Sequence, residues 1–160
     1  MRQEAIEQAF ATFLRSHALK LTPQRKRIFD RVFATHEHFN AETIYEWLQQ
    51  EDGPRVSRAT VYRTLNLLLE GEFIKGLDTG RGEFVYEHTL GHQHHDHMVC
   101  LECGRIEEFV DPVIEERQLA ASRERGFELV SHDLRLVGYC KSCVRERAAV
   151  TDGHDLGATR

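Results

Sequence analysis

Two features that would direct a chain to a membrane or through one are missing from this sequence. Its 160 residues contain no apolar run of about 18 or more residues, so no transmembrane helix is predicted. Residues 1–4 include an acidic side chain, and no apolar stretch follows them, so the N-terminus does not resemble a signal peptide. We therefore expect a cytoplasmic protein without a membrane partner.

Cysteine is also scarce, and its placement is informative. The four cysteines form two Cys-x-x-Cys pairs, Cys100 with Cys103 and Cys140 with Cys143. In a reducing compartment, such pairs favour metal or redox chemistry over disulfides. Two Cys-x-x-Cys turns can complete a tetrahedral zinc site, although the 36 intervening residues require a helix and a strand to fold back between them. A redox dithiol or plain reduced cysteines are the alternatives.

Sequence patterns of catalysis are missing as well. Neither a Ser/His/Asp arrangement nor a glycine-rich phosphate loop occurs. A zinc deaminase would place proline directly before its Cys-x-x-Cys motif, and neither motif here has one. A zinc hydrolase or deaminase is therefore disfavoured, and we expect a protein that is not an enzyme.

The net charge of −5 argues at first against a nucleic-acid partner, but the acidic excess is local. Residues 1–80 contain 11 basic and 11 acidic residues, whereas residues 81–160 contain 10 and 15. Residues 13–31 carry six basic side chains against the single acid Asp30. A patch of this kind can bind phosphates on an otherwise acidic molecule, although it could equally be a solvated helix face.

Apolar spacing in the first half predicts helices followed by a hairpin. The expected helices begin with an amphipathic segment around residues 6–14 and continue over 23–35, over 41–50, and from the cap Ser57 to Gly71. Extended segments at 72–77 and 83–87 flank a turn rich in glycine. This order is typical of a winged helix-turn-helix, in which the fourth helix reads DNA and the hairpin is the wing.

The second half predicts a small α/β unit. Strands are expected at 97–101 and 105–110, a helix from 111 to about 126, and a third strand over 127–137. The chain is therefore assigned to the α+β class. Its predicted parts are a winged-helix domain at 1–88, a hinge at 89–93, a second domain at 94–150, and a disordered tail at 151–160.

Histidines are concentrated near the boundary between the two halves. Five of the ten lie between His88 and His97. In an extended chain, alternation places His95 and His97 on one face and His94 and Asp96 on the other. Each face begins a metal site that further side chains could complete, the candidates being His38, Glu87, Glu107, Glu108, Glu115 and His132. Mixed imidazole and carboxylate ligands suit Fe(II), Mn(II), Co(II) or Zn(II). Two alternatives explain the same histidines: a metal storage or carrier protein, or a histidine-rich surface loop without a function.

The start of the fourth predicted helix combines hydroxyl, guanidinium and phenol groups. The candidates for contacting phosphates and base edges are Ser57, Arg58, Thr60, Tyr62 and Arg63. A metal carrier would have no use for such a segment. Tyr62 could alternatively be a half-buried core residue.

Five segments in this order resemble the ferric uptake regulator family. They are residues 21–25 (LTPQR), 59–65 (ATVYRTL), 94–97 (HHDH), 100–104 (CLECG) and the final Cys-x-x-Cys, so the resemblance extends from about 19 to 143. Members of this family are homodimeric repressors, and they bind AT-rich inverted repeats in double-stranded DNA when loaded with a divalent metal. The resemblance implies a homodimer, which could assemble further into a tetramer, with dimerisation through the C-terminal domain.

The resemblance also implies specific ligands and DNA contacts. A regulatory site that bridges the two domains would consist of His38, Glu87, His95, His97 and Glu108. A second metal site would consist of His94, Asp96, Glu115 and His132. Positions that contact DNA in the family correspond to Lys20, Arg25, Tyr62 and Arg63.

The identity of the regulatory metal depends on two glutamates. Zinc sensors of the family often have a cysteine near the position of Glu87, and peroxide sensors typically have aspartate at that of Glu108. Glutamate at both positions favours Fe²⁺, for which Mn²⁺, Co²⁺ or Zn²⁺ could substitute. Sensing of zinc, manganese or peroxide remains the alternative within the family. His88 and His92 are additional histidines near the hinge, either on the surface or as alternative ligands.

Overall fold

The computed structural model describes residues 3–88 and 94–153, and these residues fall into two compact units. The first unit contains residues 3–78 and 83–88, and the second contains 79–82 and 94–153. No helix within the described ranges is long and apolar enough to cross a lipid bilayer. The predicted hinge at 89–93, including His92, lies outside the described residues.

The first unit consists of four helices and a hairpin. The elements are α1 (Gln3–Ser16), α2 (Pro23–Ala34), α3 (Ala41–Gln50), α4 (Arg58–Glu70), β1 (Ile74–Asp78) and β2 (Phe84–His88). Side-chain oxygens of Thr22, Asn40 and Ser57 accept hydrogen bonds from the backbone N–H of the third residue of α2, α3 and α4. These caps explain why the helix starts were predictable. The strands are displaced by one or two residues from the predicted segments.

One apolar cluster holds the first unit together. Phe10 of α1 stacks on Phe29 of α2 at 5.5 Å between ring centroids and meets Phe73 edge-on at 5.3 Å. Leu65 and Leu68 of α4 are buried in the same cluster. Because one face of α4 is fixed in this way, its opposite face is held outward on a rigid frame. The arrangement confirms the predicted winged helix-turn-helix.

The second unit is a three-stranded sheet with two helices. Its elements are β3 (Asp96–Cys100), β4 (Ile106–Phe109), α5 (Pro112–Glu124), β5 (Arg135–Gly138) and α6 (Lys141–Gly153). The strand order is β4-β3-β5, with β4 antiparallel and β5 parallel to β3. A parallel neighbour requires a crossover connection, and the segment containing α5 supplies it. The α+β class with a small C-terminal α/β unit is therefore confirmed.

Two details of the second unit differ from the sequence prediction. The third strand is expected over 127–137, but β5 covers only Arg135–Gly138, which pair with four of the five residues of β3. Val130, inside the predicted strand, is 95% exposed. Helix α6 was not predicted, and it ends at Gly153, so the first residues of the predicted disordered tail are helical. Residues 154–160 lie outside the described range.

The second unit has a small core. Among described residues 94–149, the buried hydrophobic residues are Val99, Cys100 and Cys143. Every residue of α5 is at least partly exposed. Many large apolar side chains of this unit are exposed, including Met98, Val113, Phe127, Leu136 and Tyr139. Apolar burial within the unit is therefore a weak source of its stability.

Candidate metal centres and nucleic-acid interface

The four cysteines converge at one point of the second unit. Their sulfur atoms all lie within 4.8 Å of one another. The Cys103 and Cys140 sulfurs are 3.7 Å apart, and those of Cys140 and Cys143 are 3.5 Å apart. Four sulfurs about 2.3 Å from a tetrahedral zinc ion would lie about 3.8 Å from one another. The cluster therefore has the dimensions of a closed structural zinc site, and none of its cysteines forms a disulfide.

Local backbone geometry builds this cluster. Gly104 adopts φ +75°, a conformation that favours glycine, and its N–H donates to the Cys100 carbonyl at 2.9 Å, closing the first turn. Cys140 immediately precedes α6, and Cys143 lies in the first turn of that helix. The helix N-terminus carries partial positive charge, which favours thiolates. The start of helix α6 therefore places Cys140 and Cys143 near a charge that favours their thiolates.

Hydrogen bonding differentiates the thiols. The backbone N–H of Cys140 donates to the Cys100 sulfur at 3.3 Å, and this contact, with the backbone N–H groups of Cys103 and Glu102, lowers the pKa of Cys100 to about 6. The Ser142 hydroxyl, 3.3 Å from the Cys140 sulfur, lowers the pKa of Cys140. The proton shared with Cys140 raises the pKa of Cys143. A metal ion bound by the four sulfurs would have to displace the proton of Cys143.

A second cluster combines two histidines and two carboxylates in the same unit. One ligand atom from each of His94, Asp96, Glu115 and His132 lies within 4.8 Å of the others. Nε2 of His94 is 3.4 Å from Asp96 Oδ1 and 3.3 Å from Glu115 Oε1. Nε2 of His132 is 2.8 Å from Glu115 Oε2. Ligands about 2.0–2.1 Å from a tetrahedral ion would lie about 3.3–3.4 Å apart, close to most of these distances.

The donor atoms of this second cluster fit a metal ion better than they fit one another. Both oxygens of Asp96, Oε1 of Glu115 and Nε2 of His132 are buried, yet they make no hydrogen bond of acceptable geometry despite their proximity. Asp96 is 0% exposed. Buried polar atoms without such bonds are costly unless a further partner satisfies them. A divalent cation at their common point would do so.

The five residues of the implied regulatory site occupy both units, and each unit holds an incomplete set. In the first unit, Nε2 of His38 lies 3.8 Å from Glu87 Oε2. In the second unit, the rings of His95 and His97 are 4.9 Å apart, and Nε2 of His95 lies 3.8 Å from Glu108 Oε1. The close pairs His95–His97 and His94–Asp96 are the ones that alternation predicts.

The start of α4 presents the candidate DNA-contacting groups. Arg58, Tyr62 and Arg63 are exposed, with Tyr62 at 49%. Ser57 and Thr60 join their hydroxyls at 2.9 Å, at the helix cap. The buried face of α4 is formed by other residues, and Tyr62 is not among the residues that form the core cluster or pack against it. Its position allows contact with a partner surface.

Only part of the basic segment at 13–31 is available to a partner. Lys26 pairs with Glu7 and Asp30, each at 2.9 Å. The Arg27 guanidinium donates at 2.6 Å to each of three backbone carbonyls, at the end of α3 and just beyond it, namely those of Leu48, Glu51 and Pro54. Arg25 donates to the Lys20 carbonyl at 2.7 Å, and the Lys20 side chain is exposed. Lys20 and Arg25 are therefore better placed to meet phosphates than Lys26 or Arg27.

Two further features near these sites were not anticipated. Glu42 of α3 accepts a hydrogen bond from Arg58 Nε at 2.8 Å and one from the Tyr62 hydroxyl at 3.4 Å. Sequence spacing places Glu42 on a helix surface, but no local pattern pairs it with residues so distant along the chain. His88 is buried, with 6% exposure, so the option of a surface histidine is wrong at this position.

Comparison with known sequences identifies a family and similar proteins. The chain matches the family model described as "Ferric uptake regulator family" over residues 16–137. It is 38% identical to the ferric uptake regulation protein of Campylobacter jejuni, over 92% of this chain and 94% of that protein.

Solved structures give the same result. The Helicobacter pylori ferric uptake regulator, whose structure is described as revealing three functional metal binding sites, has a TM-score of 0.80. Its identity is 33%, covering 90% of this chain and 95% of that one. The Pseudomonas aeruginosa ferric uptake regulator, determined with manganese, has a TM-score of 0.69 and 37% identity, covering 80% and 95% of the two chains. The chain therefore belongs to the ferric uptake regulator family, whose members are metal-responsive regulators of transcription.

Proposed function

We propose that this protein is a DNA-binding transcriptional repressor that requires Fe²⁺ for tight operator binding. The observation that carries the proposal is the distribution of the regulatory ligands. The first unit, which holds the DNA-reading helix, supplies only His38 and Glu87. The second unit supplies His95, His97 and Glu108. Family membership implies that one ion takes ligands from both sets, so metal would select one arrangement of the two units.

Regulation then follows from differential binding. The set from either unit alone is a weak site, whereas all five ligands together form a complete one. A metal ion can shift a conformational equilibrium only by as much as it prefers one state. The state that unites the ligands is favoured when metal is present, and we propose that it holds the recognition helices at the spacing of successive major grooves.

The other two clusters have separate roles in this proposal. Zn²⁺ at Cys100, Cys103, Cys140 and Cys143 holds the ends of the second unit together, compensating for its small apolar core. The cluster of His94, Asp96, Glu115 and His132 holds a further divalent ion, which fixes the connection before β5 to α5. Carboxylate and imidazole ligands at both non-cysteine sites suit Fe²⁺, Mn²⁺, Co²⁺ or Zn²⁺. Glu87 and Glu108 favour iron as the regulatory ion.

DNA recognition is assigned to the exposed face of α4 together with Lys20 and Arg25. We expect Ser57, Arg58, Thr60, Tyr62 and Arg63 to contact phosphates and base edges of an AT-rich inverted repeat. Arg58 and Tyr62 would have to exchange Glu42 for DNA. This exchange removes a nearby negative charge from the two side chains and makes them available to phosphate.

Dimerisation is assigned to the second unit. Within residues 94–153, β5 pairs with β3 on one side only, and its Leu136 and Val137 are 42% and 44% exposed. An open strand edge next to exposed apolar side chains suits pairing with a second copy. The assembly we propose is a homodimer in the cytoplasm, with two recognition helices for the two halves of the operator. Sedimentation tests whether dimers associate further to a tetramer.

Mobility shift on an AT-rich inverted-repeat duplex tests the proposal. Zinc-replete protein is titrated with anaerobic Fe(II), Mn(II), Co(II) and Zn(II), beside the variant His95→Ala/His97→Ala. Metal-dependent binding that the variant loses is the expected result, and the order of potency identifies the preferred ion. Undiminished binding without added metal would refute metal control. Failure to bind the duplex under any metal would refute the repressor and favour a metal carrier.

A further inference from the structure

His88 is a buried histidine that neither the metal sites nor the DNA face uses. It ends β2, is only 6% exposed, and lies directly after the proposed ligand Glu87. Its ring lies 5.5 Å from the ring of Phe33 and 5.5 Å from that of His36. A buried, polar aromatic ring at this place requires an explanation in terms of its contacts.

The hydrogen bond of His88 is defined by its partner. Nε2 lies 2.8 Å from the carbonyl oxygen of Thr35. A carbonyl oxygen can only accept, so Nε2 carries the hydrogen and donates it. Thr35 is the C-terminal cap of α2 and is itself buried. Carbonyls at helix ends lack partners within the helix, and His88 supplies one here.

This hydrogen bond closes one end of a short frame around the ligands of the first unit. At the other end, Phe39 and Tyr86 form a bridge of two backbone hydrogen bonds, at 3.0 and 2.6 Å. The segment between Thr35 and Phe39 contains His38, and the segment between Tyr86 and His88 contains Glu87. His38 and Glu87 are therefore bracketed by one attachment on each side.

The bracket explains how two ligands from distant parts of the sequence are held together. His38 lies in the loop between α2 and α3, which has no regular structure to fix it apart from the Phe39 bridge. At its other end the loop leaves the buried cap Thr35 of α2, and the bond from His88 ties β2 to that point. Glu87, between the two ties on β2, lies with its Oε2 3.8 Å from His38 Nε2.

We infer that His88 is a positioning residue for the regulatory metal: its Nε2–H anchors the His38 loop to β2 and preorganises the His38–Glu87 pair. The inference rests on the proposed function of that pair. Residues that orient metal ligands from outside typically change affinity by about 10- to 100-fold when replaced. Because His88 acts through the backbone of a loop, a weakening of about tenfold is expected for His88→Leu.

Co(II) titration of the full chain, with the cysteine cluster filled by zinc, tests this inference through visible absorption. Four variants accompany the wild type. His88→Leu removes the donor, and His88→Gln retains an N–H donor at a similar reach. His38→Ala removes a proposed ligand. His17→Leu is the matched control, because His17 is a histidine of the same unit that pairs with Glu70 instead.

The expected pattern is specific to positioning. His88→Leu weakens Co(II) binding without changing the shape of the bound spectrum, His88→Gln restores most of the affinity, and His17→Leu binds as the wild type does. Thermal unfolding of each variant without Co(II) separates the metal effect from general destabilisation. A fall in stability with unchanged Co(II) affinity would show a purely structural role and overturn the inference.

Two other results would also decide the matter. If both His88 variants change the bound Co(II) spectrum as His38→Ala does, His88 is a direct ligand, and the positioning role is wrong. If His38→Ala itself leaves Co(II) binding unchanged, the proposed regulatory pair fails, and the inference about His88 fails with it. Intact binding in His88→Leu together with weakened binding in His38→Ala refutes the inference alone.

Discussion

Removal of zinc from the cysteine cluster is expected to unfold the second unit while the first unit stays folded. The reason is the contrast between their cores. The first unit contains one continuous buried apolar cluster, whereas the buried hydrophobic residues among positions 94–149 are Val99, Cys100 and Cys143. Two of these three are themselves in the cysteine cluster, so loss of the ion disturbs most of that small core.

The magnitudes favour this outcome. Complete burial of a side chain such as Val99 contributes about 1.5–3 kcal/mol. Binding of structural zinc contributes about 10–16 kcal/mol in small zinc domains, which is comparable with the whole stability of a typical domain, about 5–15 kcal/mol. The second unit should therefore lose its fold without zinc, even if contacts with a second copy supply several kcal/mol.

The single tryptophan makes the experiment selective. Trp47 lies in α3 of the first unit, where the Arg31 guanidinium lies 4.1 Å above its ring. Its fluorescence therefore reports the first unit, while far-ultraviolet circular dichroism also includes the 13 residues each of α5 and α6. Cys140→Ser/Cys143→Ser, or chelation followed by zinc addition, should reduce the dichroism with little change in Trp47 emission. Unchanged dichroism, or loss of both signals together, would refute the reasoning.

Four further outcomes are expected. Arg27→Leu should lower the free energy of unfolding of the first unit by about 2–4 kcal/mol in urea denaturation. The reason is that three carbonyls near the end of α3 lose their charged donor; an unchanged free energy would mean that water replaces the guanidinium. Arg63→Ala should weaken operator binding and reduce the salt dependence by about one ion in anisotropy titrations, if it contacts phosphate. His132→Ala should reduce the number of divalent ions bound per chain, measured by equilibrium dialysis, without releasing zinc from the cysteines. Zinc retention should fall on acidification, measured with a chromogenic chelator, because protons compete with the ion for the four cysteine sulfurs. The loss should begin below pH 6, since the pKa of Cys100 is about 6 even without a metal ion; retention that does not vary with pH would contradict this assignment.

The parts of the fold that follow from local physics were predictable. Capping side chains at Thr22, Asn40 and Ser57 define helix starts, and Gly71 ends α4 as expected. Strand ends are less well determined, because pairing partners set them: β5 is limited to the residues that β3 can pair with. Helix α6 escaped prediction because it has no amphipathic pattern: among its residues 141–149, Cys143 is buried while Val144 is 52% exposed.

The candidate sites also contain residues that the sequence pattern predicts and residues that only the fold brings together. Two Cys-x-x-Cys motifs and the His-His-Asp-His segment carry their chemistry in the order of residues, and alternation separates His94 and Asp96 from His95 and His97. The addition of Glu115 and His132 to the former pair came only from family resemblance; the fold brings them within 4.8 Å of it. Long-range proximity of this kind leaves no local pattern, since it depends on where the fold places α5 and the segment before β5.

By itself, then, the sequence determined the class of every element except α6, the zinc-type cysteine pairs and the metal-ligand character of the histidine segment, because spacing and side-chain chemistry are local properties. Tertiary structure decided which charged groups remain available. Lys26 and Arg27 are engaged by neighbours within the first unit, Arg58 meets Glu42, and His88 is buried against Thr35. Each of these outcomes depends on segments far apart in sequence that meet only when the apolar core forms.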